Sequence, residues 1–334
     1  MSVLKYENVS WNLPLMFCHD EIIFTLSYIM KELGEKMPTM YTYGSMFSKW
    51  AGGRDSSFIF FDRGFVEDLI LKIIDAGFVP TFTFTNPRVT DADLQDEFSN
   101  HILDFGVKNN CEFIVSADNL YNHIKSRYPE AKCVASILQA KMEFHDLRKR
   151  AMQKAGSELL FYNNLLEKFD RVVVRPEYSI SSLEKDAEQI KDIKKIEVLI
   201  NETCIPGCPM AVACYNSKNK LGSPYMSRCG RDIFTSNMGL EKSLNYTLMS
   251  KKEFIDNLIY NVGVKHLKIQ GRHYHPAFLF SIIMQYIFKT DGGFQSIMPL
   301  AREKLKKIIK SNEFIPLEQK YMVETFIKDN VEIM

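Results

Sequence analysis

The sequence predicts an α/β fold, a (β/α)8 TIM-like barrel followed by a C-terminal helical extension. Short runs of β-branched and aromatic residues alternate with amphipathic stretches, which is typical of parallel strands joined by crossover helices. Eight such runs occur, and the 334 residues of the chain exceed the roughly 250 that such a barrel needs. An open doubly wound sheet is the alternative, but its usual G-x-G-x-x-G turn is absent from the sequence.

The predicted strands are short, largely apolar runs separated by polar or helical segments. We place them at Thr39–Tyr43, Phe58–Phe61, Val79–Thr85, Phe113–Ser116, Cys133–Ser136, Arg171–Val174, Glu197–Ile200 and His266–Ile269. A helix at Phe17–Gly34 is expected before the first strand. The barrel domain is predicted over residues 1–295 and the extension over 296–334, with helices at Leu300–Ser311 and Leu317–Asn330.

Composition and charge exclude several classes of protein. The 42 Lys and Arg residues nearly balance 41 Asp and Glu residues, which gives no general electrostatic reason to bind DNA or an anionic membrane. The longest apolar stretch, Pro276–Phe288, is too short to span a bilayer. Met1–Asn12 has no signal-peptide pattern, and seven cysteines are an odd number, so we expect a cytoplasmic protein without a disulfide framework.

Polar residues follow the predicted strands, where the active site of a barrel lies. These positions carry amides and arginines, which suit an anionic or carbonyl-bearing small ligand. They include neither the carboxylate pair of a glycosidase nor a Ser-His-Asp arrangement. The residues are Gly44, Asp62, Arg63, Asn86, Arg88, Ser116, Asn119, Ser136, Arg175, Glu177, Asn201, Glu202, Gln270 and Arg272.

Charged residues also alternate along the last predicted strand. Lys268, Gln270 and Arg272 point to one side, which in a barrel is the interior or its mouth. A buried cation needs a counter-charge, and Glu202 is a candidate for it.

Four of the seven cysteines, Cys204, Cys208, Cys214 and Cys229, fall within 26 residues directly after the seventh predicted strand. Four thiolates complete either an iron–sulfur cluster or a structural zinc site. The irregular spacing favours an iron–sulfur cluster, because structural zinc sites more often repeat pairs of closely spaced ligands. Cysteines that cluster as small buried hydrophobic residues are the third possibility.

Several segments together resemble the collagenase-like peptidase family, peptidase family U-thirty-two, which includes the ubiquinone-biosynthesis proteins UbiU and UbiV and RNA-hydroxylation proteins. The similar segments are Trp50–Arg54, Thr81–Asn86, Asn201–Pro209 and Leu267–Arg272. The resemblance extends over most of the chain and is to an uncharacterised branch of the family. It implies a TIM-like barrel, a 4Fe–4S cluster bound by four cysteines, and oxygen-independent hydroxylation of an organic or RNA substrate, in some relatives with a homologous protein partner.

The chain departs from the family pattern at three positions. Cys214 stands where a His is expected, Ala211 where an Arg is expected, and Gln270 where a Glu is usual. The resemblance therefore assigns Cys204 and Cys208 as ligands first, then Cys229, with Cys214 as the fourth.

From these observations we predict an enzyme with Glu202, Asn86 and Arg272 in catalytic positions. Gly53 and Arg54, in a Gly-Gly-Arg turn, would bind a carboxylate or phosphate. The remaining substrate-binding positions are Asn201, Arg175 and Gln270.

Two other functions remain open. In one, zinc bound by the four cysteines stabilises a non-catalytic barrel that acts as an accessory or binding subunit. In the other, the chain is a peptidase or hydrolase as the family name suggests, although the sequence shows neither a nucleophile–base pair nor an H-E-x-x-H motif.

Overall fold

Eight parallel strands close into a barrel in the computed structural model of the protein. The structure describes residues 2–46, 48–51, 62–144, 156–202, 252–272 and 276–289, together with residue 299. The strands pair in chain order, and the first strand pairs with the eighth. They are β1 (Ser10–Leu13), β2 (Met40–Gly44), β3 (Phe78–Phe84), β4 (Glu112–Val115), β5 (Lys132–Ala135), β6 (Arg171–Val174), β7 (Ile196–Leu199) and β8 (His266–Lys268).

Helices connect the strands and cover the outside of the barrel. They are α1 (Asp20–Glu32), α2 (Arg63–Asp75), α3 (Glu97–Lys108), α4 (Asp118–Arg127), α5 (Ile137–Phe144), α6 (Ser157–Lys168), α7 (Pro176–Ser181), α8 (Leu183–Asp186), α9 (Lys252–Asp256) and α10 (Pro276–Ile287). A π-helical segment, Asn257–Val262, continues α9. In the described part of the chain, each helix is too short or too polar to span a bilayer.

The (β/α)8 prediction is confirmed, although the first strand of the barrel was not predicted. The barrel uses Ser10–Leu13 as β1, and β2 pairs directly with β3. The predicted strand Phe58–Phe61 lies outside the described residues. The predicted helix at Phe17–Gly34 corresponds to α1, which therefore follows the first strand.

The C-terminal extension stays a prediction. Apart from residue 299, residues 296–334 lie outside the described part of the chain, together with the helices predicted there.

The main hydrophobic core lies between the strands and the helices. Alternate strand residues point outward, and the large buried side chains among them include Trp11, Phe82, Phe84 and Phe113. The three phenylalanine rings stack on one another, with centroids 5.6–6.1 Å apart. A second, smaller cluster of Tyr43, Ile114, Val134 and Val173 is separate from this core. These residues belong to the other set of alternating positions, so the cluster lies in the barrel interior.

The end of β2 packs closely against the loop after β1. A Cβ atom added to Gly44 would lie 2.1 Å from the backbone oxygen of Met16. Glycine is therefore the residue that permits this approach.

Replacing Gly44 with Ala should destabilise the protein by about 2–3 kcal/mol, because the backbone of β2 or of the Met16 loop must shift. The free energy of unfolding in urea measures this loss. Gly64→Ala is the matched control. Its Cβ would meet only Asp62 Oδ1, at 3.3 Å, and alanine is favoured over glycine in a helix. Equal stability of the Gly44→Ala and Gly64→Ala proteins would contradict the interpretation.

Candidate active site at the carboxyl ends of the strands

The carboxyl ends of the strands form a polar mouth. Continuing the inward alternation of each strand brings hydroxyl, amide and guanidinium groups to this end of the barrel. The inward positions at the mouth are Ser45, Thr85, Ser116, Ser136, Arg175, Asn201 and Gln270. The sequence analysis had identified five of them as post-strand residues from the strand boundaries alone: Ser116, Ser136, Arg175, Asn201 and Gln270.

Two amide residues join the ends of β7 and β8. Asn201 Nδ2 donates to the backbone oxygen of Gln270 at 2.9 Å, and the Gln270 backbone N–H donates to Asn201 Oδ1 at 2.7 Å. Gln270 Nε2 also donates to the backbone oxygen of Asn201, at 3.0 Å. Three hydrogen bonds between two residues hold this edge of the mouth in one arrangement.

A buried ion pair lies beside these amides. Lys141 Nζ on α5 is 2.8 Å from Glu202 Oε2, and the two side chains are only 4% and 5% exposed. The predicted interaction between Glu202 and a cation of β8 is therefore wrong, because Glu202 pairs with Lys141. A buried ion pair generally costs more in desolvation than it returns in attraction, but removing one partner leaves an uncompensated buried charge.

Arg175, at the end of β6, is held by carboxylates. Its Nη2 atom is 2.7 Å from Glu158 Oε2 on α6, and its Nε atom donates to Glu158 Oε1. Glu177 Oε2 is 3.7 Å from Arg175 Nη1. A two-point contact of this kind orients a guanidinium strongly.

Arg272 has a different environment at the end of β8. Gly271 precedes it with a φ of 135°, a conformation that glycine adopts far more readily than other residues. The Nε2 atom of buried His19 lies 3.1 Å from the backbone oxygen of Arg272. The Arg272 guanidinium lies 5.6 Å from the centre of the Tyr43 ring.

Asn86 follows β3 and contacts the segment after β2. Its Nδ2 atom donates to the backbone oxygen of Lys49 at 2.8 Å, and its Oδ1 atom accepts from the Arg88 backbone N–H at 3.0 Å. Asn86 therefore positions the segment that precedes Gly53 and Arg54, which lie outside the described residues.

Charged residues fill the barrel interior below the mouth. Arg171 Nη2 is 2.6 Å from Glu112 Oε2, and Arg171 Nε is 2.6 Å from Glu197 Oε2. Glu197 also accepts from Lys268 Nζ at 3.1 Å and from Asn12 Nδ2 at 3.0 Å. Lys268 therefore has Glu197 as its counter-charge, and not Glu202 as predicted.

Aromatic rings complete this interior network. The Arg171 guanidinium lies 4.0 Å from the centre of the Tyr41 ring, and Lys268 Nζ lies 3.9 Å from the centre of the Tyr43 ring. Both distances are within the range of a cation–π interaction. The Tyr43 hydroxyl donates to the backbone oxygen of Ile269 at 2.8 Å, which ties β2 to the end of β8.

The network holds its groups in defined charge states. Burial alone would raise the pKa of Glu197, but Lys268, Arg171 and His266 together lower that pKa to about 2. Burial would lower the pKa of Arg171, yet Glu197 and Glu112 raise it above its ordinary value. For His266, burial and the nearby Arg171 lower the pKa to about 4, so its imidazole is neutral at pH 7.

The predicted cysteine ligands, Cys204, Cys208, Cys214 and Cys229, lie outside the described residues, as do His273 and His275. The described cysteines include two that are buried: Cys111, which follows α3, and Cys133, on β5. Burial raises the pKa of each thiol to about 12, which keeps both protonated at neutral pH. Among the described residues, no three His, Cys, Asp or Glu side chains lie close enough to bind a metal ion.

Several residues of the site were missed in the sequence. Glu112, Arg171 and Glu197 are each the single charged residue of an otherwise apolar strand, and all three are buried. This single charge in an apolar strand is the signal that was available. Lys141 and Glu158 lie on helices, and no local pattern identifies them as partners of strand-end residues.

No protein-family model and no curated protein matches the sequence. Three solved structures are similar in shape. The U32 peptidase Mk0906 has 10% identity and a TM-score of 0.45, over 79% of this chain and 92% of its own. An endo-1,4-β-mannanase from Rhizomucor miehei has 10% identity and a TM-score of 0.41, over 91% of this chain and 95% of its own.

The third structure is the GH20 exo-β-N-acetylglucosaminidase from Vibrio harveyi. It has 8% identity and a TM-score of 0.33, over 99% of this chain and 58% of its own. Similarity of this size identifies neither the family nor the activity of this chain.

Replacing Arg171 with Met should destabilise the protein by about 3–5 kcal/mol, because it leaves two buried carboxylates without their shared counter-charge. Urea unfolding at pH 7 measures the change. Arg63→Met is the matched control, since the Arg63–Glu97 pair is exposed and such a pair contributes at most about 1 kcal/mol. A loss below about 1 kcal/mol for Arg171→Met would show that the network is not a stabilising contact.

The stability of the protein should fall by about 1–2 kcal/mol between pH 7 and pH 5 through His266 alone. The unfolded chain takes up a proton near the ordinary pKa of 6.5, whereas the folded protein does so only near 4. The stabilisation is therefore present above pH 6.5 and is lost as the pH falls towards 4. Urea unfolding at pH 7, 6 and 5 should give a shallower slope for His266→Asn than for the wild type. Identical slopes would rule out this role.

Proposed function

We propose that this chain is an enzyme whose active site is the mouth of the barrel. We further propose that Cys204, Cys208, Cys214 and Cys229 bind a 4Fe–4S cluster there. The reaction would be an oxygen-independent hydroxylation, or a related modification, of a small organic substrate. The observation that carries this proposal is the buried Lys141–Glu202 ion pair at the mouth.

The ion pair supports catalysis through its chemistry and its place in the chain. An ammonium and a carboxylate 2.8 Å apart can hold or pass a proton, which is the requirement for general acid–base catalysis. Glu202 is also the last described residue before the segment that contains the four cysteines. The ion pair and the first of these cysteines are therefore close in the sequence.

The donor set suits the cluster. Four thiolates are the usual ligands of a 4Fe–4S centre, which supplies one-electron redox chemistry when bound. Cys111 and Cys133 are buried, and their raised pKa values make them unsuitable as ligands. The spacing and the family resemblance both favour the segment from Cys204 to Cys229 as the source of thiolates.

The other residues of the mouth would bind and orient the substrate. The hydrogen bonds between Asn201 and Gln270 hold the ends of β7 and β8 together at the mouth. Asn86 positions the segment that leads to Gly53 and Arg54. The net charge of +1 favours a small organic substrate over RNA, which usually requires an excess of positive charge.

Protein purified without oxygen should be brown and contain about four iron and four sulfide ions per chain. Metal analysis, sulfide assay and the visible spectrum measure this. Cys204→Ser and Cys208→Ser should lose most of the iron. Cys111→Ala is the matched control and should retain it, because its thiol is buried and protonated.

Three outcomes contradict this proposal or part of it. Colourless protein with one bound zinc would favour the accessory barrel. Cleavage of a peptide panel by metal-free protein would favour the hydrolase. Unchanged iron in Cys214→Ser would remove Cys214 from the ligand set and leave the other three.

A further inference from the structure

We propose that Arg272 and Ser45 form a subsite that binds a carboxylate or phosphate group of the substrate. The subsite lies on the side of the mouth formed by β8, β1 and β2. This inference rests on the proposed function only in placing the substrate at the mouth, and it adds the chemical class of the substrate: a small organic anion.

The strand register brings the two residues to one end of the barrel. Lys268 pairs with Asn12, and Asn12 pairs with Tyr41. Arg272 and Ser45 each lie four residues beyond these paired positions, just past the ends of β8 and β2, which brings them to the same end of the barrel. They are separated by one strand, a distance that a substrate carboxylate and the long arginine side chain can bridge.

Ser45 points toward the mouth. Tyr43 faces the interior, and the Cα–Cβ direction of Gly44 faces the Met16 backbone on the other side. Ser45 continues the alternation and turns inward again. Its side chain is buried, with the residue only 5% exposed.

The Ser45 hydroxyl has no hydrogen-bond partner in the structure, although its oxygen is buried. Buried hydroxyl groups are normally hydrogen-bonded, and leaving one unpaired costs about 1–3 kcal/mol. A group that binds at the mouth and accepts a hydrogen bond would satisfy Ser45. This unpaired hydroxyl is the observation that points to a ligand.

Arg272 supplies the positive charge. Arg171 and Arg175 also occupy inward positions. In each, a guanidinium nitrogen lies within 3 Å of a carboxylate oxygen. For Arg272, by contrast, no carboxylate of the described residues lies within ion-pair distance, and its recorded side-chain contact is the Tyr43 ring. The neighbouring cation, Lys268, is neutralised by Glu197. Arg272 is therefore the cation on this side that lacks an acidic partner among the described residues.

The subsite is built on a rigid support. The contact between His19 and the Arg272 backbone oxygen, together with the Asn201–Gln270 hydrogen bonds, fixes the chain on either side of Gly271. The Tyr43 ring lies beneath the guanidinium and is itself fixed by its hydrogen bond to Ile269. A guanidinium held over a ring offers its planar N–H groups to two oxygen atoms of an anion.

Inorganic phosphate and succinate are the probes for this subsite. Binding is measured by calorimetric titration and by the rise in Tm, at constant ionic strength with sodium chloride as the reference salt. The wild type should bind at least one of the two anions, and Arg272→Gln should weaken this binding about 20-fold or more. Arg272→Lys should bind with intermediate affinity, because it keeps the charge but loses the planar fork.

Ser45→Ala separates a binding role from a structural one. It should weaken anion binding about 3- to 10-fold, while the Tm of the anion-free protein stays equal or rises, because an unpaired buried hydroxyl is removed. Thr42→Val is the matched control. Its hydroxyl oxygen is also buried without a hydrogen-bond partner, but Thr42 points to the outer face of β2, so its replacement should leave anion binding unchanged.

Two results would overturn the subsite: a wild type that binds neither anion better than chloride, or Arg272→Gln protein that binds as tightly as the wild type. Metal content is measured separately and does not enter this test. Binding that depends on Arg272 in protein without iron would sustain the subsite and reject the cluster. Iron-containing protein that binds neither anion would support the cluster and reject the subsite.

Discussion

The structure depends on Arg171 and the two carboxylates that it joins inside the barrel. Glu112, Arg171 and Glu197 come from β4, β6 and β7, and all three side chains are almost completely buried. Each charge would be strongly unfavourable there without the others. The strands that carry them must therefore stay in one register. A shift of one residue would point these charged side chains outward, into the hydrophobic layer between the strands and the helices.

The mouth is built on this interior network. Glu197 binds Lys268, Lys268 lies against the Tyr43 ring, and the Tyr43 hydroxyl binds the backbone at Ile269. These contacts connect the interior network to the end of β8, which Arg272 follows. Site residues supported by a strand network of this kind are held more accurately than residues on loops alone.

The sequence predicts the fold better than the site. Alternation of short apolar runs with amphipathic helices is local, so it identifies the barrel, whereas Ser10–Leu13 was missed because four residues with one tryptophan carry little strand signal. Residues at strand ends, such as Asn201 and Gln270, follow from topology. Pairings such as Lys141 with Glu202, 61 residues apart, depend on how helices pack around the barrel, and no local pattern encodes them.

The charged interior also has a thermodynamic consequence. In most barrels the interior is filled by branched aliphatic side chains, and their exposure on unfolding raises the heat capacity of the chain. Here Glu112, Arg171, Glu197 and Lys268 occupy much of that space, and newly exposed polar surface lowers the heat capacity instead. The stability curve of this protein should therefore be flatter than that of an aliphatic barrel of equal length. Its stability would change less with temperature on either side of the maximum.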